Sequence, residues 1–239
     1  MELYLDLFSQ PCRAVFLLAK VLEIPFEFKY VNLATGQHLG DEFGKISMMR
    51  KVPVMKDGEF VLTESTAILE YMVQKHRAPD HWFPSELLLR ARINEYLSWQ
   101  HTNLRAHGSK IFLLKMLFPL MMGCEVPKEK MDAAMEDLNM SLIQLENYFL
   151  QNKPFIIGDK ISVADIVAMA EIMQPVGTGV DVFTGRPTLS AWRDRVTAQV
   201  GVELFKEANE VIMKAKDLSQ NIDKTALEMM KPKFQKMFS

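Results

Sequence analysis

Cysteine is scarce in this chain. Only Cys12 and Cys124 occur among 239 residues, too few for a disulfide framework and in keeping with a reducing compartment. An excess of one charge is missing as well. The 28 basic residues stand against 30 acidic ones, and a formal net charge of −2 argues against a surface built to neutralise many phosphates. No unbroken apolar run reaches the roughly 20 residues that a bilayer demands. The most apolar segment, 111–124, is interrupted by Lys115 and Pro119. The opening Met1-Glu2-Leu3-Tyr4-Leu5-Asp6 has neither the basic start nor the apolar stretch of a secretory leader. The five histidines lack zinc spacing with cysteines, and neither a Walker loop nor a dinucleotide glycine fingerprint is present. The expectation is a soluble, cytoplasmic protein with no metal, no membrane and no nucleic-acid partner.

What is present is apolar material, 49% of the residues, enough for a sizeable core. Methionine is abundant, with 17 copies and a group at Met116, Met121 and Met122. Flexible thioethers suit core filling, or a pocket that accepts varied apolar shapes.

The first eighty residues carry strand and helix patterns in turn. Leu3, Leu5 and Leu7 alternate with Tyr4 and Asp6 and lead into Ser9-Gln10-Pro11, which predicts a strand ending near Phe8. Pro11 suits a first helical turn, and the apolar spacing from Cys12 to Leu22 predicts a buried helix that stops before Pro25. Phe26 to Leu33 reads as a second strand. Such a βαβ unit has parallel strands and a right-handed crossover. A loop with Gly36, Gln37 and His38 follows, then a short polar helix over 41–47. Asp57-Gly58 between two apolar runs is a hairpin signal, and a helix is predicted over 65–76. The order βαβ then ββα is that of a thioredoxin-like domain, expected over residues 1–77.

Residues 78–86 contain Pro79 and Pro84 and read as a linker. Beyond them the pattern is helical throughout, so 87–239 is expected to be an all-helical domain. Residues 87–106, 128–150, 163–173, 189–200 and 203–216 each show 3.6-residue apolar periodicity. Breakers stand between them: Pro119 with Gly123, Pro127, Pro154 with Gly158, the 175–187 stretch, and Gly201. Ser162 with Asp165 is a capping-box-like pair, read as structural.

Ser9 stands where the first strand hands over to the first helix, a usual ligand position in a sheet with parallel strands. A helix N-terminus there favours an anion. A simple N-cap role fits the same residue. A thioredoxin-like half joined to an all-helical half resembles the soluble glutathione transferase family. Val52-Pro53 before a strand, Glu64-Ser65-Thr66-Ala67-Ile68-Leu69 after it, and Ile161-Ser162-Val163-Ala164-Asp165 agree with that likeness. The run from Leu3 to Ala14, Gly36-Gln37-His38, and Glu95-Tyr96-Leu97-Ser98-Trp99-Gln100-His101 are similar to the theta class in particular. The likeness covers nearly the whole chain and thins beyond about Leu218.

The resemblance implies conjugation of glutathione to small hydrophobic electrophiles such as halogenated alkanes and epoxides, with peroxide reduction as a side activity. It makes Ser9 the residue that holds the thiolate. Gln10, His38, Lys51, Val52, Pro53, Glu64 and Ser65 would bind the tripeptide. In that family the Val52-Pro53 bond is cis and its backbone pairs with the cysteinyl part, while Glu64 and Ser65 hold the γ-glutamyl end. His38 and Lys51 match positions for the glycyl end. Arg105 matches an arginine near the electrophile site, although a solvated helix-face arginine fits as well. Glutathione is a co-substrate, so no cofactor is expected; a homodimer is. The tail, 223–238, would fold over the pocket as a short helix with Leu227, Met230, Phe234, Met237 and Phe238 on one face, interrupted by Pro232.

Two other readings compete with the enzyme. The same fold serves as a non-catalytic interaction module, against which the intact Ser9, Glu64 and Ser65 speak. Ser9-Gln10-Pro11-Cys12 also resembles a glutaredoxin-type Cys-x-x-Cys whose first cysteine has become serine, which leaves Cys12 as a conceivable redox thiol or a small buried hydrophobe.

Overall fold

The computed structural model describes residues 1–215, together with Glu228 and Lys231. Apart from those two residues, the tail helix expected over 223–238 lies outside the described residues.

Strand β1 (Glu2–Leu5) lies parallel to β2 (Glu27–Tyr30), and helix α1 (Gln10–Val21) makes the crossover between them. After a short helix α2 (Asp41–Ile46), β3 (Val54–Asp57) pairs antiparallel with β1 and turns at Gly58 into β4 (Phe60–Thr63). Gly58 has φ +62°, the left-handed turn conformation that glycine adopts without steric cost. The sheet order is β2-β1-β3-β4, and α3 (Ser65–Lys75) completes a thioredoxin-like half.

The first strand ends at Leu5, short of the expected Phe8, and Asp6 is the reason. Its buried carboxylate accepts from the Phe8 N–H and the Leu33 N–H, both at 2.9 Å, which turns the chain out of the sheet and ties it to the end of β2. Helix α1 then starts with Pro11 in its first turn, where the absent N–H loses no bond. Residues Gln10 to Ala19 are all buried, because the sheet and α3 cover one side and a long helix of the second half covers the other.

That long helix is the spine of the helical half. The half is built from α4 (Leu87–Thr102), α5 (Leu104–Phe112), α6 (Phe118–Met122), α7 (Lys128–Gln144), α8 (Val163–Gly177), α9 (Pro187–Val200) and α10 (Val202–Met213). Helix α8 is buried from Val163 to Pro175, and Ser162 with Asp165 forms the expected capping box at its start. Asp165 accepts from Ser162 N–H, Ile156 N–H and Trp192 Nε1, each at 2.9 Å, so the cap also anchors α9.

The second strand is likewise shorter than the expected Phe26 to Leu33, and boundaries in the helical half move as well. The helix predicted over 87–106 breaks at Asn103 (φ −115°, ψ −96°), whose side-chain amide donates to the Trp99 carbonyl and so competes with helical bonding. Pro119 does not break the apolar segment; it occupies the first turn of α6, joined to α5 by a π-helical turn over Leu113–Leu117. Pro175 likewise lies inside α8, which continues past the expected Met173.

Candidate active site

Strand register brings most of the expected site residues to one end of the sheet. Because Leu5 pairs with Tyr30 in the parallel ladder, the chain leaves β1 towards Ser9 and leaves β2 towards His38 at the same end. Tyr4 pairs with Val54 and Val54 with Thr63 in the antiparallel ladders, so Val52-Pro53 enters, and Glu64-Ser65 leaves, at that end too. The Val52-Pro53 peptide bond is cis. Glu64 has φ +66° and ψ +113°, a conformation that costs an L residue of order 1–3 kcal/mol. Its side chain makes no cap to α3 although it occupies the N-cap position.

Ser9 is the N-cap of α1, and its side chain makes no capping hydrogen bond either. Its backbone does hold the turn, with Ser9 N–H donating to Asp6 C=O at 2.9 Å and Arg13 N–H donating to Ser9 C=O at 3.0 Å. Cys12, one turn further on, is fully buried. Burial pushes its thiol up to about 12, and hydrogen bonds to the Ser9 side chain and the Asp6 backbone offset that only in part. A thiol held protonated is a poor nucleophile. Cys12 is therefore a packed small side chain, and the redox reading loses its chemistry.

Beneath Ser9 lies a guanidinium with no solvent exposure. Arg13 donates to Leu7 C=O at 2.9 Å and Phe8 C=O at 3.2 Å, and from its other amino group to Ala170 C=O at 2.9 Å and Gln174 Oε1 at 2.7 Å. It clamps the segment that carries Ser9 onto α8. Burial lowers it to about 10, and the nearby Glu171 opposes that shift.

A cavity of about 340 Å³ opens over Ser9 between the two halves. Ser9, Gln10 and His38 of the expected set line it, together with Asp6, Tyr30, Leu33 and Ala34 from the first half. The second half contributes Ser109, Phe112, Leu113, Met116 and Leu117, then Gln174, Val211 and Ala215. Its apolar wall is a small cluster in which the Phe8 and Phe112 rings meet edge-to-face at 5.1 Å. Gln10 reaches across the cavity and donates its amide to Ser109 Oγ at 2.7 Å. The expected Lys51, Val52, Pro53, Glu64 and Ser65 stand at the same sheet end without lining this cavity; Pro53 is buried, Lys51 and Glu64 exposed. Arg105 is also outside the lining: its guanidinium lies 4.0 Å from Glu171 and 3.4 Å from His101.

Sequence reasoning passed over Asp6, Arg13, Ser109, Phe112 and Gln174. A signal existed for some of them. Arginine inside an otherwise apolar helix needs buried partners, and positions 109, 112, 113 and 116 fall at the i, i+3, i+4, i+7 spacing of one helix face.

Comparison with known proteins follows the same outline. Residues 3–80 match the glutathione S-transferase N-terminal domain and residues 110–199 the glutathione S-transferase C-terminal domain. Glutathione S-transferase theta-1 of Bos taurus is 51% identical over 233 residues, covering 98% of this chain and 97% of its own. A human glutathione S-transferase solved in its apo form superposes with a TM-score of 0.94 at 49% identity, over 100% of this chain and 99% of the other. A human theta-class glutathione transferase, solved in complex with the glutathione conjugate of 1-menaphthyl sulfate, reaches a TM-score of 0.92 at 40% identity and covers 98% of each chain.

Proposed function

The chain belongs to the theta class of the glutathione S-transferase family, and from that premise we propose that Ser9 holds the thiolate of bound glutathione for attack on small apolar electrophiles. One observation carries the reading. Ser9 stands on the wall of the cavity at a helix N-terminus, with its hydroxyl not spent on capping that helix. The terminus supplies a partial positive charge and the hydroxyl a directed donor, the pair of features that favours an anion over a neutral thiol.

In this proposal residues 1–77 bind glutathione, 78–86 link the halves, and the helical half from residue 87 onward supplies the electrophile site. The cis Val52-Pro53 backbone is suited to pair with the cysteinyl part in the manner of an added strand. Glu64 and Ser65, at the start of α3, would take the γ-glutamyl end, and the strained backbone at Glu64 supports a binding role. His38 and Lys51 would meet the glycyl carboxylate, and Gln10 would lie beside the sulfur. Arg105 stands one turn of α5 before Ser109 and would bear on the electrophile from there.

Phe8, Phe112, Leu113 and Met116 line the cavity and would shield the reacting carbon, so the protein would contribute proximity and thiolate stabilisation. Halogenated alkanes and epoxides fit that environment, and hydroperoxides would be reduced by attack of the same thiolate on oxygen. A homodimer is part of the proposal, supported by exposed Phe60 and Val61 on the outer strand β4 and Leu87, Leu88 and Leu89 at the start of α4. A cytoplasmic setting fits the two free cysteines.

The test is a panel of initial rates with glutathione against halomethanes, epoxides and hydroperoxides. Glutathione-dependent turnover of halomethanes or epoxides is the expected result. No turnover of any member, with glutathione still bound, would overturn the reading.

A further inference from the structure

Among the described residues the helical wall of the cavity is apolar except for Ser109 and Gln174. Gln174 is committed elsewhere. Its oxygen accepts from Arg13 at 2.7 Å and its amide donates to Phe8 C=O at 3.4 Å. Ser109 differs. Its oxygen accepts from Gln10 Nε2 at 2.7 Å, and among the described residues its own hydroxyl hydrogen is given to no acceptor. A hydroxyl carries one donor hydrogen besides its acceptor lone pairs. Accepting a hydrogen bond polarises the O–H and makes it a better donor. Ser109 therefore presents a polarised donor on the helical wall of the cavity that Ser9 also lines, beside Phe112 and Leu113.

We propose that Ser109 sets the leaving-group preference of the transfer reaction by donating its hydroxyl hydrogen to the departing anion. The inference deepens the reading of Ser9 as the residue that holds the thiolate, and rests on it. In the substitution step the thiolate sulfur of glutathione forms a bond to carbon while the carbon–halogen bond breaks. The halide leaves with the bonding pair. Ser109 keeps its proton and gives only a hydrogen bond, which strengthens as negative charge builds on the halogen. Such a donor acts in the transition state more than in the ground state and so raises turnover. It discriminates by charge density: chloride, a strong acceptor, gains much, whereas iodide, a weak one, gains little.

The experiment compares kcat/KM for 4-nitrobenzyl chloride and 4-nitrobenzyl iodide with glutathione in wild type, Ser109→Ala, Ser109→Thr and Ser9→Ala. Ser109→Ala should lose roughly tenfold on the chloride, the effect of one hydrogen bond to a developing charge, and change the iodide less than about twofold. Ser109→Thr, which keeps a hydroxyl, should restore the chloride-to-iodide ratio. The ratio is insensitive to glutathione affinity because both substrates share that co-substrate. An unchanged ratio in Ser109→Ala, whether both rates fall together or neither falls, overturns the role of Ser109. Full activity of Ser9→Ala on both halides marks the separate failure of the Ser9 reading.

Discussion

Arg13 and Gln174 meet at 2.7 Å inside the molecule, 161 residues apart in sequence, and this bond closes the clamp between the Ser9 turn and helix α8. The same guanidinium holds the carbonyls of Leu7, Phe8 and Ala170. One buried side chain thus fixes the height of the first strand's exit relative to the helical half.

Replacing it should cost heavily. Arg13→Met leaves those carbonyls and the Gln174 oxygen without their donor in a site closed to water, and a loss of about 3–5 kcal/mol is expected, the range for breaking a buried charged network from one side. Arg13→Lys should recover only part of this, since an ammonium cannot present the planar fork that reaches all of these acceptors. Urea denaturation midpoints measure both variants. A loss below about 1 kcal/mol for Arg13→Met would show that the clamp closes without its cation.

Glu171 makes a second prediction, about pH. It is buried on α8 facing Arg13 from α1, Tyr96 from α4 and Arg105 from α5. Burial raises its carboxyl to about 8, and the two guanidinium groups only moderate that rise. Between its ordinary value near 4.5 and about 8 the folded chain therefore holds a proton that the unfolded chain has lost. Stability tied to this group is complete at low pH and declines as pH climbs through that window. Glu171→Gln removes the titration, so its melting temperature should fall less between pH 5 and pH 8 than that of wild type. Parallel melting curves for the two proteins would mean that the carboxylate is ionised against its arginines throughout.

Sequence patterns reached the architecture because its signals are local. Asp57-Gly58 marks a turn whatever surrounds it, Ser162 and Asp165 find each other across one helical turn, and Pro11 declares a helix start. The boundaries that moved are the ones decided by tertiary contact. Pro175 reads as a breaker, yet it continues α8 in close contact with α5, where a Cβ added to Gly108 would lie 3.3 Å from the Pro175 ring. Asn103 carries no breaker signature, yet its amide bond to Trp99 ends α4. The site divides the same way. Ser9 can be named from the strand-to-helix handover, and Gln10 and His38 only through the family resemblance, whereas Ser109 and Gln174 acquire meaning only when two distant helices face the strand end.

Gly177 tests the packing behind the cavity. A Cβ built on it would collide with the Ile212 carbonyl oxygen and lie 2.7 Å from Ile212 Cγ1, so α8 and α10 touch backbone to backbone there. Gly177→Ala should force the helices apart at a cost of about 1–3 kcal/mol, the usual range for overpacking. Val211, next to Ile212, and Ala215, three residues beyond it, line the cavity, so KM for the electrophile should rise while glutathione affinity holds. Thermal melting and steady-state kinetics read the two effects. An alanine variant with wild-type melting would place the helices further apart than they stand.

The last prediction concerns the sulfur itself. A free thiol titrates near 8.5 in water. A hydrogen bond to a charged group contributes about 1.5–3 kcal/mol, and each pK unit corresponds to about 1.4 kcal/mol. The Ser9 hydroxyl should therefore lower the thiol of bound glutathione by roughly one to two units, with the α1 terminus adding to it. Titrating the thiolate absorbance of the complex reads this directly. In Ser9→Ala most of the shift should vanish, and turnover should fall roughly tenfold to a hundredfold. The loss should be steepest near neutral pH and shrink as the pH rises past the solution value, because the medium then ionises the thiol unaided. The fold should survive, since the hydroxyl caps no helix and the turn is held by backbone bonds from Ser9 to Asp6 and from Arg13 to Ser9. If bound glutathione titrated at its solution value in wild type, Ser9 would have no part in forming the thiolate, and the helix terminus alone would be too weak to replace it.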